Sequence, residues 1–401
     1  MSDHNISNAM PIILTNGRIV LPDQIAEGAV AVKEGRIDAI LTESESVQAW
    51  LELNPSAATL DVNGQYVLPG MIDIHCDAIE KEVQPRPNTL FPLELALLEF
   101  ERKLPVHGIT TMYHSLSLGV GLSLRGDYLL TGMIEHILSY RSKRSMIRNR
   151  IHLRFEVSHL TGLPIVERYL KENAIDYLSF MDHSPGQGQY REPGSFERYV
   201  MKNQGVSLDE VRVIVEELME RRRQMDGVQL QRLGQLAAEH GIAIASHDDD
   251  SIEKVEESLA CGVSVCEFPI NLATAKHAAQ RGLHVCVGAP NVVRGVSHDK
   301  NLRAVDAIKA DAAHILCSDY HPSSMLAAVF KLADDGIAAL PAAVRMVTLN
   351  PAQALQTDSE LGSIERGKAA DFIVVDRYED QPWVTNTIVG GQLVYTATTR
   401  Y

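Results

Sequence analysis

The segment Tyr66–Glu82, YVLPGMIDIHCDAIEKE, decides the reading of this chain. Val67, Leu68, Met71 and Ile72 form an apolar, strand-like run punctuated by Pro69-Gly70, and the run delivers His75 and Asp77. Side chains alternate between the two faces of a strand, so residues two apart point the same way and Cys76 points opposite. An imidazole and a carboxylate thus meet on one side of a strand end. That pair suits a borderline divalent cation such as Zn²⁺.

Outward from this segment the chain alternates strand-like runs with long helical patterns. The runs are Met71–His75, Gly108–His114, Ile151–Val157, Tyr177–His183, Ile242–His247, Val263–Ile270, His284–Ala289 and His314–Asp319. Eight such runs are the complement of a closed (β/α)8 TIM barrel, an α/β fold. Ser207-Leu-Asp-Glu210 reads as a capping box ahead of Val211, Val215, Leu218 and Met219 at helical spacing. Asp250-Ser-Ile-Glu253 reads as a second, with Gly262 closing its helix. The connections after His75 and after His183 are long, and barrels build their sites at that end of the strands.

Residues 11–65 and 360–401 have another character, short β-rich pieces with turn signals at Asn16-Gly17 and Asn63-Gly64. Neither piece has enough apolar surface to stand alone, so the two ends are expected to share one small β-sandwich domain, with the barrel domain over 66–355.

The 401 residues carry 37 Lys plus Arg against 52 Asp plus Glu, a net charge of −15. This argues against nucleic acid or an anionic membrane as partner. The basic cluster Arg141–Arg150 (RSKRSMIRNR) reads as a solvated helix face. Cys76, Cys261, Cys266, Cys286 and Cys317 form no Cys-x-x-Cys pair and read as buried, reduced thiols. With neither a signal-like N-terminus nor a membrane-length apolar window, the expectation is a cytoplasmic protein, compatible with a homo-oligomer.

Polar residues end most of the strand runs: His75 and Asp77, then His114, Glu156, Asp182-His183, His247, Glu267 and Ser318-Asp319. Parallel strands bring these ends to one volume, and burying so many carboxylates without a cation would be costly. A metal site is the economical explanation.

These residues carry a resemblance. Gly70-Met-Ile-Asp-Ile-His75, Gly108-Ile-Thr-Thr111, His247, Ser318-Asp319, Asn350-Pro-Ala352 and Gly367-Lys-Ala-Ala-Asp-Phe-Ile-Val-Val-Asp376 resemble the amidohydrolase superfamily over essentially the whole chain. The resemblance implies a metal-dependent hydrolase holding one or two divalent ions, zinc first, with manganese or iron as alternatives. Two departures stand out. The usual His-x-His is His75-Cys-Asp77 here, and no Lys ends runs three or four, so Glu156 is the candidate for the bridging role. His75, Asp77, Glu156, His183, His247 and Asp319 are the expected ligands, with Glu267 the rival of His183. Asp319 sits where relatives keep the group that takes a proton from the attacking water.

A narrower resemblance joins Asp73-Ile-His-Cys-Asp77, Glu80-Lys81, Pro85-Arg-Pro87, Met181-Asp-His-Ser-Pro-Gly-Gln187 and Ala245-Ser-His-Asp-Asp249 to the amidohydrolases of phosphonate metabolism in the carbon–phosphorus lyase pathway. It implies release of pyrophosphate from a 5-triphosphoribosyl 1-alkylphosphonate. Such an anionic small molecule needs cations, and Lys81, Arg86, Arg191 and Arg294 all lie in loops after strand ends. Arg86, between two prolines, is held most stiffly, and the loop Pro185–Tyr190 offers backbone amides to a phosphate. A deacetylase or deaminase cutting a C–N bond is the alternative, and its site would be mostly apolar with few cations. A non-catalytic scaffold ranks last, because at least five ligand residues are present.

Overall fold

The computed structural model describes residues 10–86, 89–119, 127–191, 194–204, 207–297 and 301–398. Eight strands form a parallel sheet in sequence order: β1 (Met71–Cys76), β2 (Ile109–Leu118), β3 (Arg148–Glu156), β4 (Tyr177–Met181), β5 (Ala243–His247), β6 (Val265–Glu267), β7 (His284–Gly288) and β8 (Ile315–Cys317). Cys76 bridges Asp319 in parallel, Asp77 N–H donates to Asp319 O (2.8 Å) and Asp319 N–H to His75 O (2.9 Å), which closes the barrel between β8 and β1. Beneath this seam Asp73 accepts from Ser318 N–H (3.0 Å) and Ser318 Oγ–H (2.5 Å). The eight runs expected from the pattern are the eight strands.

Alternation sorts the strand residues. Tyr177, Ala243, Ala245, Val265, Cys286, Ile315 and Cys317 pack inside the barrel, while Leu153, Phe155, Leu178, Ile244, Cys266, Val285 and Leu316 face the helical layer. Extending the inward parity to the strand ends gives Glu156, His247, Glu267 and Asp319. On β1 the parity is shifted by a register irregularity between Asp73 and Cys76. Ile72 and Ile74 fill the interior, yet Cys76 packs outward and leaves His75 and Asp77 for the mouth.

Both chain ends enter one further sheet. Its order runs Gln392–Thr396, Gln381–Val389, Phe372–Tyr378, Tyr66–Pro69, Ile12–Val20, Ile25–Lys33, Arg36–Leu41, with Ala58–Asp61 also on Ile12–Val20. Tyr66–Pro69 therefore pairs with both ends before the chain turns at Gly70 into β1. A Cβ at Gly70 would stand 2.2 Å from Thr110 Oγ1, which explains glycine there.

Several local expectations are revised. Asn16-Gly17 is a bulge within the continuous strand Ile12–Val20, because three neighbours hold that strand straight through it; Asn63-Gly64 is a turn, with φ of 50° and 76°. The capping box at Ser207 forms as expected, but the second helix is capped by Ser251, whose Oγ accepts from Lys254 N–H, and not by Asp250. Within the basic cluster, Arg148 and Arg150 belong to β3 and not to a helix face; Arg141 and Arg150 pair with Asp176 and Arg148 with Asp371. The five cysteines are free thiols, four of them buried. Among the described residues no helix is long and apolar enough to cross a membrane.

His114 is likewise displaced. Strand β2 continues to Leu118, so His114 sits mid-strand, and its even parity turns it outward against Phe100. Asn149 Nδ2–H donates to Glu101 Oε1 (2.7 Å), so Asn149 Oδ1 accepts from His114 Nε2–H (2.8 Å). Glu101 also accepts from Tyr140 O–H and Met146 N–H, tying the helices Leu93–Val106 and Asp127–Lys143 to β3. Burial pushes the His114 pKa down to about 4. Its folded value lies below the unfolded one near 6.5, so as pH falls the unfolded chain takes the proton first. The stability it contributes is full above about pH 6.5 and declines toward pH 4. Between pH 7.5 and 5 the loss is about 2 kcal/mol. His114→Gln keeps a donor for Asn149 and does not titrate. Urea unfolding at the two pH values should show the variant losing about 2 kcal/mol less than the parent chain.

Candidate active site

The inward residues at the strand ends open into a cavity of about 860 Å³ at the C-terminal mouth of the barrel. Asp77, Arg154, Glu156, His183, His247, Asp248 and Asp319 line its floor, and His75 and Glu267 lie buried directly beneath. Asp248, Phe268 and Asp319 follow the ends of β5, β6 and β8 with φ of 58°, 54° and 59°. A bulky residue such as Phe in the left-handed region is an outlier, and here the abrupt turn away from the strand is what leaves the mouth open.

Glu267 organises two of the imidazoles. Its Oε2 lies 3.0 Å from His75 Nδ1 and 3.4 Å from His247 Nδ1, and its Oε1 accepts from Tyr177 O–H at 3.0 Å. Burial pushes both histidines well below their ordinary pKa, so both are neutral. With Nδ1–H donated to Glu267, each ring keeps the Nε2 lone pair for something else. Glu156 does the same for His183: one oxygen accepts from the His183 backbone N–H (2.9 Å) and the other lies 2.9 Å from Nδ1. The His183 Nε2 then sits 4.0 Å, and the His247 Nε2 3.7 Å, from Asp248 Oδ2.

The residues fit a divalent ion. Ligand atoms of His183, His247 and Asp248 lie within 4.8 Å of one another, as do those of His75, His247 and Glu267. Asp77 Oδ1 is buried with no hydrogen-bond partner among the described residues. Burial, reinforced by the charge of Asp77, raises Asp319 to about 7, and burial raises Asp248 to about 6. Carboxylates so raised hold their protons more tightly than in water, and a nearby cation favours their ionised form. Imidazole nitrogen and carboxylate oxygen together are the donor set of zinc and its borderline neighbours.

Of the six residues expected as ligands, Asp77, Glu156, His183, His247 and Asp319 line the cavity and His75 lies buried beside it, while both oxygens of Glu156 are hydrogen-bonded to His183. Glu267 and His183 are not interchangeable in this arrangement: His183 lines the cavity, whereas Glu267 is wholly buried and faces the Nδ1 side of its histidines. Asp248 enters the cluster although the pattern singled out only His247. Its strand parity is wrong, and only the left-handed backbone at Asp248 turns it inward.

The cations divide differently. Arg294 lines the cavity, its Nη1 3.5 Å from Tyr320 Oη. Lys81 stands 5.5 Å over the Tyr320 ring, outside the lining. Arg86, in a short bridge with Thr89, and Arg191 are exposed and also outside it; Pro87 lies beyond the described residues. Arg154 and Arg221 line the cavity as well, and the loop-based reasoning missed both. Arg154 was legible in principle, since His152, Arg154 and Glu156 share the inward parity of β3. The Pro185–Tyr190 loop packs on the site through Gly188, where a Cβ would come 3.0 Å from Asp248 Cβ. Arg222 pins it through Asp182 (2.9 Å) and Gln187 (2.8 Å). Phe196, Val200, Ile214 and Leu218 supply an apolar wall.

The model of the amidohydrolase family matches residues 203–394. The alpha-D-ribose 1-methylphosphonate 5-triphosphate diphosphatase of Escherichia coli (strain K12) is 33% identical over 390 residues, covering 96% of this chain and all of that protein. An imidazolonepropionase of Symbiobacterium thermophilum is 25% identical over 88% of this chain and 84% of its own length. Among solved structures, an N-acetylglucosamine-6-phosphate deacetylase from Pasteurella multocida superposes with a TM-score of 0.63 at 14% identity, over 96% of this chain and 99% of its own; it speaks to the fold alone. The chain belongs to the amidohydrolase family, on the branch that contains the E. coli diphosphatase.

Proposed function

We propose that this chain cuts a phosphoanhydride, releasing pyrophosphate from a 5-triphosphoribosyl 1-alkylphosphonate and leaving the 5-phosphate. The observation that carries the reading is the meeting of Arg154, Arg221 and Arg294 with a carboxylate–imidazole cluster in one cavity. An uncharged amide or a free nucleobase gives three guanidinium groups no anion to hold, whereas a triphosphate does. Near-full-length kinship with the E. coli diphosphatase supports the same choice.

His75, Asp77, Glu156, His183, His247 and Asp319 would hold one or two divalent ions, zinc first, with Asp248 alongside. When bound, such an ion lowers the pKa of a water molecule and withdraws charge from a phosphoryl oxygen. The protein's own groups do the rest. Asp319 takes the proton of the attacking water at its carboxylate, as a base with an intrinsic affinity near neutrality can. Attack at the α-phosphorus breaks its bond to the bridging oxygen, which departs with pyrophosphate. Arg294 and Arg221 neutralise the charge that gathers on the leaving group, with Lys81 on the short helix Ala78–Val83, and Arg86 and Arg191 on exposed loops, outside the cavity. The apolar wall from Phe196 to Leu218 keeps bulk water from the reacting end. The free thiols suit a reducing compartment, and we place the enzyme in the cytoplasm.

The deciding assay offers the metal-loaded protein a ribosyl triphosphate and, separately, a panel of N-acetylated sugars and nucleobases. Pyrophosphate release from the triphosphate alone is expected. It should vanish after chelation and dialysis and return with added Zn²⁺ or Mn²⁺. Turnover of the panel without pyrophosphate from the triphosphate rejects the reading in favour of C–N cleavage.

A further inference from the structure

The placement of Arg154 is costly without a purpose. Its side chain is only 6% exposed, at the floor of the cavity on the inward face of β3. On that face His152 lies deeper, held by Ser115 Oγ (3.0 Å) and Ser179 Oγ (2.9 Å), and Glu156 lies nearer the rim, 2.9 Å from His183 Nδ1. Removing a guanidinium from water is expensive unless close acceptors take its donors. Arg154 has one side-chain hydrogen bond among the described residues, a long one to an imidazole and not to a carboxylate. Its Nη1 is 3.7 Å from Asp77 Oδ2, its Nη2 is 3.4 Å from His247 Nε2, and its buried Nε has no hydrogen-bond partner among the described residues.

The same chain makes close two-pronged pairs where little is at stake. Arg303 meets Asp306 at 2.8 and 2.7 Å, Arg377 meets Asp334 at 2.9 and 2.8 Å, and Arg281 meets Glu256 at 2.7 and 3.1 Å, with all three arginines more exposed than Arg154. The fork of Arg154, buried at the floor of a cavity without a two-pronged partner, is matched to a ligand that brings two acceptor oxygens. Asp77 and His247 have a rival claim on them in the proposed divalent-ion site, which leaves the donors of Arg154 to that ligand.

We infer that Arg154 is the specificity-determining anchor for the phosphoryl group, its fork gripping two non-bridging oxygens at the buried end of the substrate. The identity of the substrate rests on the diphosphatase reading; the anchoring of a phosphoryl oxyanion does not. The fork predicts a distinction between variants, because Lys keeps the charge and loses the planar pair of donors. Methionine fills similar volume and loses both.

The test measures binding of inorganic phosphate by calorimetry to the holoenzyme as purified, with no free divalent ion, for the parent chain, Arg154→Lys and Arg154→Met. Metal content and the thermal midpoint are recorded for each. At unchanged metal content, phosphate binding should weaken about 10–100-fold in Arg154→Met and by a smaller factor in Arg154→Lys, with KM for the ribosyl triphosphate rising in the same order. Equal phosphate affinity in the parent and either folded variant overturns the assignment. Weakening that merely follows loss of metal also overturns it, since Arg154 would then serve the metal cluster. If the parent binds phosphate through Arg154 yet releases no pyrophosphate from the triphosphate, the anchor stands and the diphosphatase reading falls.

Discussion

Asp319→Asn is expected to lower kcat by about 10²–10⁴-fold, the range for loss of a positioned general base, while the protein keeps most of its divalent ion. Asparagine preserves the size and one oxygen of the carboxylate. It also tolerates the left-handed backbone that Asp319 adopts at φ 59°, so the bridge to Cys76 and the hydrogen bond with His75 O should survive. What the amide cannot do is take a proton. Burial and the neighbouring Asp77 raise the carboxyl of Asp319 to about 7, a value suited to receiving a proton from water near neutrality. Steady-state kinetics on the ribosyl triphosphate, paired with elemental analysis, check this. A variant that loses its metal along with its activity would make Asp319 a ligand first, and the proton acceptor would have to be sought elsewhere.

Glu267→Gln should damage the same reaction by another route. One carboxylate oxygen serves two imidazoles, His75 at 3.0 Å and His247 at 3.4 Å, and the other is held by Tyr177. An amide offers one accepting oxygen, so at least one of these three donors must meet an N–H. Where that donor is an imidazole, the histidine loses the partner that fixes its tautomer and aims Nε2 at the site, and where it is Tyr177, the remaining oxygen is a neutral and weaker acceptor for both rings. Loss of a carboxylate behind a metal-binding histidine costs about 10–100-fold in metal affinity. Glu267→Ala should in addition destabilise the fold by about 3–5 kcal/mol, because it removes an acceptor from buried donors. Competition with a chromogenic chelator and urea unfolding measure the two effects. Unchanged metal affinity in Glu267→Gln would show that the histidines are aimed by packing alone, through the stacked His75–His247 rings 5.3 Å apart.

The local signals that proved legible share a physical origin. Alternation of apolar residues is a property of each strand by itself, which is why all eight strands and the inward character of His247, Glu267 and Asp319 could be read without a partner in view. The cap at Ser207 and the turn at Asn63-Gly64 are equally local, decided by a few neighbouring backbone groups. The errors arose where a second element overrode the local preference. Asn16-Gly17 prefers a turn, but Ile25–Lys33, Ala58–Asp61 and Tyr66–Pro69 all pair with its strand and turn it into a bulge. His114 looked like a strand end because the run of β2 could not be measured from one strand alone.

By itself, then, the amino-acid order determined a barrel of eight parallel strands, a sheet made from both chain ends, and a ring of histidines and carboxylates at one end of that barrel. Only the tertiary structure decided how that ring divides its work. Closure of β8 against β1 sets Asp77 beside Asp319, and the positive φ at Asp248 swings in a carboxylate of the wrong parity. The same closure drops Glu267 beneath its two histidines and stands Arg154 among acidic neighbours, while Lys81, Arg86 and Arg191 stay outside the cavity. These are matters of distance between strands far apart in the chain, set by barrel curvature and loop reach, and no short-range pattern of residues encodes them.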